Sequence, residues 1–273
     1  MKQLIRLTIL FCACAALALT AVAGPEPLSS GKEMKQVAPA PPECDYTWTG
    51  FYLGGNAGYG WGNGDTQFHP LPDAATFGSL APQTLDPDPS GFIGGGQIGY
   101  NWQWNKWLVL GAEADFQGTD IEGDETRSPI IGFTGTSFGP DSFLFAHERM
   151  QWFGTVRGRI GFVPMCRLLI YGTGGFAYGN VDYSAQTFYA NRDEFPTKFS
   201  ETNTGWTAGG GIEYAIGHHW TVRAEYLYYD LGDQGRTAAF LNSGVPVTPT
   251  IFAVHYNWET QGNIVRGGLN YKF

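Results

Sequence analysis

The sequence predicts an all-β fold, an eight-stranded antiparallel barrel that crosses a membrane, and three observations carry that prediction. Segments of about ten residues alternate apolar residues or glycine with polar ones, which is the period of a strand and not of a helix. The connections between them alternate between tight turns and long loops. No internal stretch has the length and hydrophobicity of a membrane helix, so a crossing has to be made by strands closed on one another, because lipid offers backbone groups no partner. Composition agrees: of 273 residues 39 are Gly, aromatic residues make up 15% and charged residues only 15%, which suits many short strands and turns.

The N-terminal segment MKQLIRLTILFCACAALALTAVAG places Lys2 and Arg6 before an apolar run and ends on Ala21-Val22-Ala23. This is the pattern of a secretory signal peptide, residues 1–23. The run from Leu7 to Leu19 is too short to span about 30 Å of hydrocarbon, and Cys12 and Cys14 sit inside that run instead of closing it as a lipidated cysteine would. Residues 24–45 are rich in Pro, Ser and Lys and read as a disordered tether, unable to bury enough apolar surface to fold. The barrel is then expected over residues 46–273.

Eight strands follow, at about 48–61, 91–104, 107–118, 149–163, 168–183, 203–216, 219–231 and 259–273. In WLVLGAEADFQ one face receives Leu108, Leu110, Ala112, Ala114 and Phe116, and the other Glu113, Asp115 and Gln117. In MQWFGTVRGRIGF, Trp152, Gly154, Val156, Gly158, Ile160 and Phe162 oppose Gln151, Thr155, Arg157 and Arg159. In HWTVRAEYLYYD, Trp220, Val222, Ala224, Tyr226 and Tyr228 oppose Arg223 and Glu225. The turns NK, PMCR and GHH are short, whereas the connections at about 62–90, 119–148, 184–202 and 232–258 are long. That segregation is the one expected of outer-membrane barrels, with short periplasmic turns and long extracellular loops. Trp48, Trp61, Trp102, Trp152, Trp206, Trp220 and Tyr271 are expected at the two membrane interfaces as aromatic girdles.

An eight-stranded barrel is just wide enough for side chains to fill it. These registers send Glu113, Asp115, Glu213 and Glu225 inward with Arg157, Arg159, Arg223 and Arg266, four acids against four bases. Such a balance predicts a hydrogen-bonded plug, since buried charges are costly unless paired. A narrow path for ions or small solutes, lined by the same residues, is the alternative. Cys44 and Cys166 both fall on the periplasmic side and form a candidate disulfide in an oxidising compartment; two separate thiols are the alternative, because a bridge needs Cα atoms within about 7 Å.

Other chemistry is poorly supported. The net charge of -9 excludes a nucleic-acid partner, which needs a basic surface. Gly94, Gly96 and Gly99 have dinucleotide-fingerprint spacing, but YNWQW and a turn follow where a helix is required. No Cys and His spacing suits a structural zinc, and neither metal nor cofactor is expected. For acyl hydrolysis the nearest local set is Ser142 with His147 and Glu148, which matches no triad arrangement, so the chain reads as no enzyme. The loops interleave acids with phenylalanines such as Phe68, Phe143, Phe145, Phe195 and Phe199; these pack on one another or present a binding surface. Axial ligands for a haem would come from His69, His147, His255, Tyr189 or Tyr256.

The first strand, WTGFYLGGNAGYGWG, and the closing aromatic-rich strand resemble the small outer-membrane β-barrel proteins of alphaproteobacteria, porin-like surface antigens related to the OmpA membrane domain. The resemblance covers about residues 46–273. It implies a structural protein of the Gram-negative outer membrane that contributes to envelope integrity, displays surface loops, and is surrounded by outer-membrane lipid and lipopolysaccharide. Periplasmic chaperones and the outer-membrane insertion machinery are implied partners. Some members of the family are linked to haem or to a host ligand, so the loops carry those candidate partners by implication. In the family a terminal aromatic residue with apolar residues at alternate positions before it is the assembly signal, and here those positions are Phe273, Tyr271 and Leu269.

Overall fold

The computed structural model describes residues 45–71, 83–130, 141–189, 193–246 and 253–273. The signal peptide, the tether up to residue 44, and Cys44 itself lie outside the described residues.

Eight long strands close the wall: β1 (Gly50–Gly62), β4 (Ser90–Gln103), β5 (Leu108–Arg127), β6 (Phe143–Met165), β7 (Leu168–Tyr189), β8 (Asp193–Ala215), β9 (Trp220–Ala239) and β12 (Ala253–Lys272). Every neighbouring pair is antiparallel, and β12 returns to β1 from Tyr52↔Lys272 to Gly62↔Gly262. Closure leaves the membrane-crossing part of the sheet without a free edge. Four short strands, β2 (Thr66–Pro70), β3 (Gln83–Leu85), β10 (Leu241–Asn242) and β11 (Val245–Pro246), pack onto the end with the long connections. Gly94, Gly96 and Gly99 lie within β4, paired on both sides.

The lower wall is inside out relative to a soluble protein. Leu53, Ile98, Val156, Ile160, Ile170, Ile212 and Leu269 are exposed outward, where lipid covers them, while charged residues point inward. Exposed aromatics bound this belt: Tyr100, Trp102, Trp107, Tyr214 and Trp220 near the short turns, and Tyr59, Trp61, Phe92, Phe116 and Trp206 near the long connections. Ring contacts link the upper girdle along the wall, Phe116 to Trp152 at 5.5 Å and Trp206 to Tyr228 at 5.4 Å. Trp48 departs from the girdle expected of it. It is 1% exposed, because even-numbered positions of β1 face inward and the same parity carries Trp48 into the lumen mouth.

Above the upper girdle the described residues of the long connections are mostly strand. Segments β5 to β9 and β12 run on past it, and there the polarity reverses. Leu144, Ala146, Val181, Phe195, Tyr256 and Trp258 face inward into an apolar core. On β6 the reversal is produced by a bulge between Met150 and Trp152. Even residues up to Met150 point inward, odd residues from Phe153 onward do so, and Gln151 is exposed. Gln151 therefore does not share a face with Arg157 as its spacing predicts: one extra residue flips the faces of everything beyond it. On β9 the same inversion occurs about Gly232, whose φ of 75° favours glycine.

Candidate functional site

The lumen below the upper girdle holds all eight predicted charges in one connected cluster. Arg157 on β6 donates from Nη2 to Glu113 Oε1 at 2.6 Å and to Asp115 Oδ2 at 2.9 Å, and from Nη1 to Glu225 Oε1 at 3.1 Å. Arg266 on β12 donates to Glu225 Oε2 at 2.7 Å and to Asp115 Oδ2 at 2.8 Å. Arg159 reaches Glu213 at 2.8 Å, and Arg223 donates to Glu113. Arg157, Arg223, Arg266, Glu113, Asp115 and Glu225 have side chains with no solvent exposure. Four acids and four guanidinium groups leave the cluster neutral, the condition under which burying so many charges is tolerable.

Neutral groups complete the cluster. Tyr52 on β1 donates to Glu113 at 2.6 Å, and Tyr171 on β7 donates to Glu225 at 3.0 Å. Arg159 stacks its guanidinium 3.9 Å from the centre of the Tyr171 ring, a cation–π contact strengthened by desolvation. Gln97 on β4 donates to Asn270, and Asn270 donates to Glu213 at 2.9 Å. All eight wall strands thus contribute a polar group. Small residues opposite make the space: a Cβ on Gly54 would stand 2.1 Å from Asn270 Oδ1, and one on Gly58 would stand 2.6 Å from Arg266 Cβ. Sequence reasoning left out Tyr52, Tyr171, Gln97 and Asn270 as partners, although each occupies an inward position of its strand.

A stopper closes the periplasmic end. Tyr46 and Trp48 meet edge to face at 5.0 Å and are buried with Val109, Val163, Leu169, Tyr171 and Ala215. The Trp48 amide donates to Gln103 Oε1 at 2.9 Å, Lys272 Nζ donates to the Thr47 carbonyl, and the same ammonium lies 4.4 Å from the Tyr46 ring. Asp45 pairs with Arg167, whose hydrogen bond holds the Asp45 carboxyl below its usual pKa. Cys166, next to Arg167, is disulfide-bonded.

A second seal lies above the charges, where Ile93, Ile121, Phe153, Leu227, Tyr229 and Ile264 join the apolar core of the extension. Glu148 is buried within it. Of the remaining sequence candidates the Tyr189 side chain lies outside what the structure describes, and the described ones form no single site. Among the described residues no group of three or more His, Cys, Asp or Glu is placed to hold a metal. His69 and His255 are cross-strand partners on β2 and β12, with the His255 ring hydrogen-bonded to Thr237 of β9, whereas His147 stacks on Phe145 of β6. Tyr256 is buried and donates to the Phe195 carbonyl. His147 and Glu148 stand on opposite faces of β6, and Ser142 Oγ accepts from the Ile130 amide. Phe273 is 72% exposed at the periplasmic end, its amide donating to the Phe51 carbonyl at 3.0 Å.

Comparison with known proteins agrees with this architecture. The model of the outer membrane protein beta-barrel domain matches residues 12–273. The 31 kDa outer-membrane immunogenic protein of Brucella melitensis is 39% identical over 234 residues, 86% of this chain and 87% of that protein. The 22 kDa outer membrane protein of Rhizobium leguminosarum is 34% identical over 197 residues, 71% of this chain and 69% of that protein. Among solved structures, Neisserial surface protein A is similar at 12% identity, with a TM-score of 0.32 and coverage of 82% of this chain and 98% of that one. With a closed eight-stranded wall, an apolar belt between aromatic girdles, the family-model match over residues 12–273 and the Brucella and Rhizobium relatives, the chain belongs to the outer membrane protein beta-barrel domain family, and its place is the bacterial outer membrane.

Proposed function

We propose that the protein is a structural, non-enzymatic component of the outer membrane, whose sealed barrel contributes to envelope integrity and carries a folded extension for display at the cell surface. One observation carries this reading: the lumen is filled at three successive levels, by the Tyr46–Trp48 stopper, the neutral charge cluster and the apolar core above it. A diffusion channel needs a continuous wet path, and eight strands leave too little width for one once side chains interlock. Surface display draws support from relatives in Brucella named as immunogenic outer-membrane proteins. The apolar belt fits outer-membrane lipid and lipopolysaccharide, and the exposed terminal strand residues Leu269 and Phe273 fit recognition by the insertion machinery.

Planar-bilayer recording on the purified, refolded protein tests the reading. The expected trace stays at the bare-bilayer baseline; a steady conductance of porin size would overturn it in favour of a narrow pore.

A further inference from the structure

Among the described residues Glu148 is the one buried acid of the apolar upper core, and its surroundings single it out. It lies four residues above Trp152 of the upper girdle on β6, which places it roughly 10 Å outside the hydrocarbon belt for a strand tilted about 40°. Its Oε1 accepts from the Thr260 hydroxyl of β12 at 3.0 Å. Thr260 in turn shares a 2.6 Å hydrogen bond with the Tyr183 hydroxyl of β7, and Asn203 of β8 donates to that same Tyr183 oxygen. The chain of hydroxyl and amide groups therefore ties β6, β7, β8 and β12 together inside the extracellular half.

What faces the carboxyl is uncharged from almost every side. Tyr183 of β7 and Tyr229 of β9 are the titratable groups that feel its charge, and Glu201 of β8 acts on Tyr183 as a further negative charge. The β12 neighbour is Thr260, and the β5 residue paired with Glu148 is Gly123. The basic side chains next to it on β6, His147 and Arg149, lie on the outward face, Arg149 is engaged with Glu122 at 3.6 Å and Asp120 at 3.8 Å, and Arg157 and Arg159 of the same strand belong to the lower cluster. This is the opposite of the lower cluster, where every carboxylate has a guanidinium partner.

We propose that Glu148 is a proton-operated latch: in its neutral form it completes the core joining β6, β7, β8 and β12, and losing its proton loosens the extracellular half while the charged lower barrel stays closed. Burial supports the assignment, pushing the carboxyl from the usual 4.5 to about 7, with the Thr260 hydrogen bond opposing only in part. Because the folded value lies above the unfolded one, the stabilisation is complete below about 4.5 and disappears as pH rises through about 7. The extension is then tightest in mild acid.

The test uses the full-length mature protein refolded in lipid nanodiscs, titrated from about pH 5.5 to 8.5, a window centred on the folded value. Two signals are followed: the infrared band of a protonated carboxylic acid, and the rate of protease cleavage in the extracellular half. The wild type should lose the band and be cleaved several-fold faster across neutrality. Glu148→Gln should lack that band and keep slow cleavage throughout, and Thr260→Val should move both changes to higher pH. Heat-modifiable migration verifies that each variant has folded, and the wild-type infrared titration decides even if a variant has not. A carboxyl band already gone at the acid end, or the same rise in cleavage for Glu148→Gln as for wild type, would overturn the latch.

Discussion

Arg157 of β6 and Glu225 of β9 meet across the lumen, Nη1 to Oε1 at 3.1 Å, although β7 and β8 stand between their strands in the wall. No turn or local pattern could bring them together, so closure of the barrel and pairing of the charges depend on each other. Arg157→Met would leave Glu113, Asp115 and Glu225 short of one cation in a site closed to solvent, and breaking such a pair costs about 3–5 kcal/mol. The urea midpoint of the detergent-refolded protein should fall accordingly. The double variant Arg157→Met/Glu225→Leu restores neutrality, so its loss should be smaller than the sum of the two single losses.

The stopper contributes stability without being the sole seal. Trp48→Ala removes a fully buried indole, a change that costs about 3–5 kcal/mol in a packed core. The same variant should still show no steady conductance in a planar bilayer, because the charge cluster and the core around Phe153 and Ile264 remain in place. Porin-size conductance in Trp48→Ala would show that residues 46–48 alone hold the path shut.

At the periplasmic rim, Asp45 is anchored on Arg167, and each flanks a cysteine in sequence. Pairing of Cys44 with the disulfide-bonded Cys166 would tie the segment carrying Tyr46 and Trp48 across the barrel mouth. Peptide mass mapping without reduction should yield one Cys44–Cys166 cross-linked species. Modification of both cysteines by a thiol reagent in the unreduced, denatured protein would exclude the pairing.

How much of this was legible in the sequence depends on which side of the upper girdle a residue lies. Below it, Glu113, Asp115, Arg157, Arg223 and Glu225 sit at regular inward positions, so alternation alone assigns their face. Above it, the meaning of alternation reverses, since the wall now stands in water and the apolar face turns inward as in any soluble core. The bulges at Gln151 and Gly232 compound the difficulty by shifting the period by one residue. The predicted strands end near residues 118, 149 and 231 for that reason, which leaves Phe195 and Leu144 in predicted loops. Trp48 departs from its expected girdle position because tryptophan beside a strand end suggests an interface, and only its even parity with Tyr52 and Asn56 reveals the inward direction.

The bulge can be tested directly. Deleting Gln151 removes the extra residue between Met150 and Trp152 and would turn Leu144, Ala146 and Met150 outward if the lower register is kept. The lower barrel, held by its charge cluster, should still form and remain heat-modifiable. Its extracellular half should become protease-sensitive under conditions in which the wild type resists. Full protease resistance of the deletion variant would mean that another residue absorbs the shift.

Phe273 makes little contact that could stabilise the folded barrel. Its side chain is largely exposed, and its packing amounts to an edge-to-face contact with Tyr271 at 5.2 Å. The hydrogen bond from its backbone amide to the Phe51 carbonyl would survive replacement by another residue. Phe273→Ala should therefore change the thermal stability of refolded protein by no more than about 0.5 kcal/mol, the range of surface substitutions. If the terminal aromatic is read during assembly, the same variant should accumulate poorly in outer membranes of living cells, scored as the amount of heat-modifiable protein per cell. A kinetic defect in cells without a stability defect in vitro separates an assembly address from a closing contact. Normal abundance in the membrane would leave Phe273 with neither role, since the β1–β12 ladder from Tyr52↔Lys272 upward closes the wall without it.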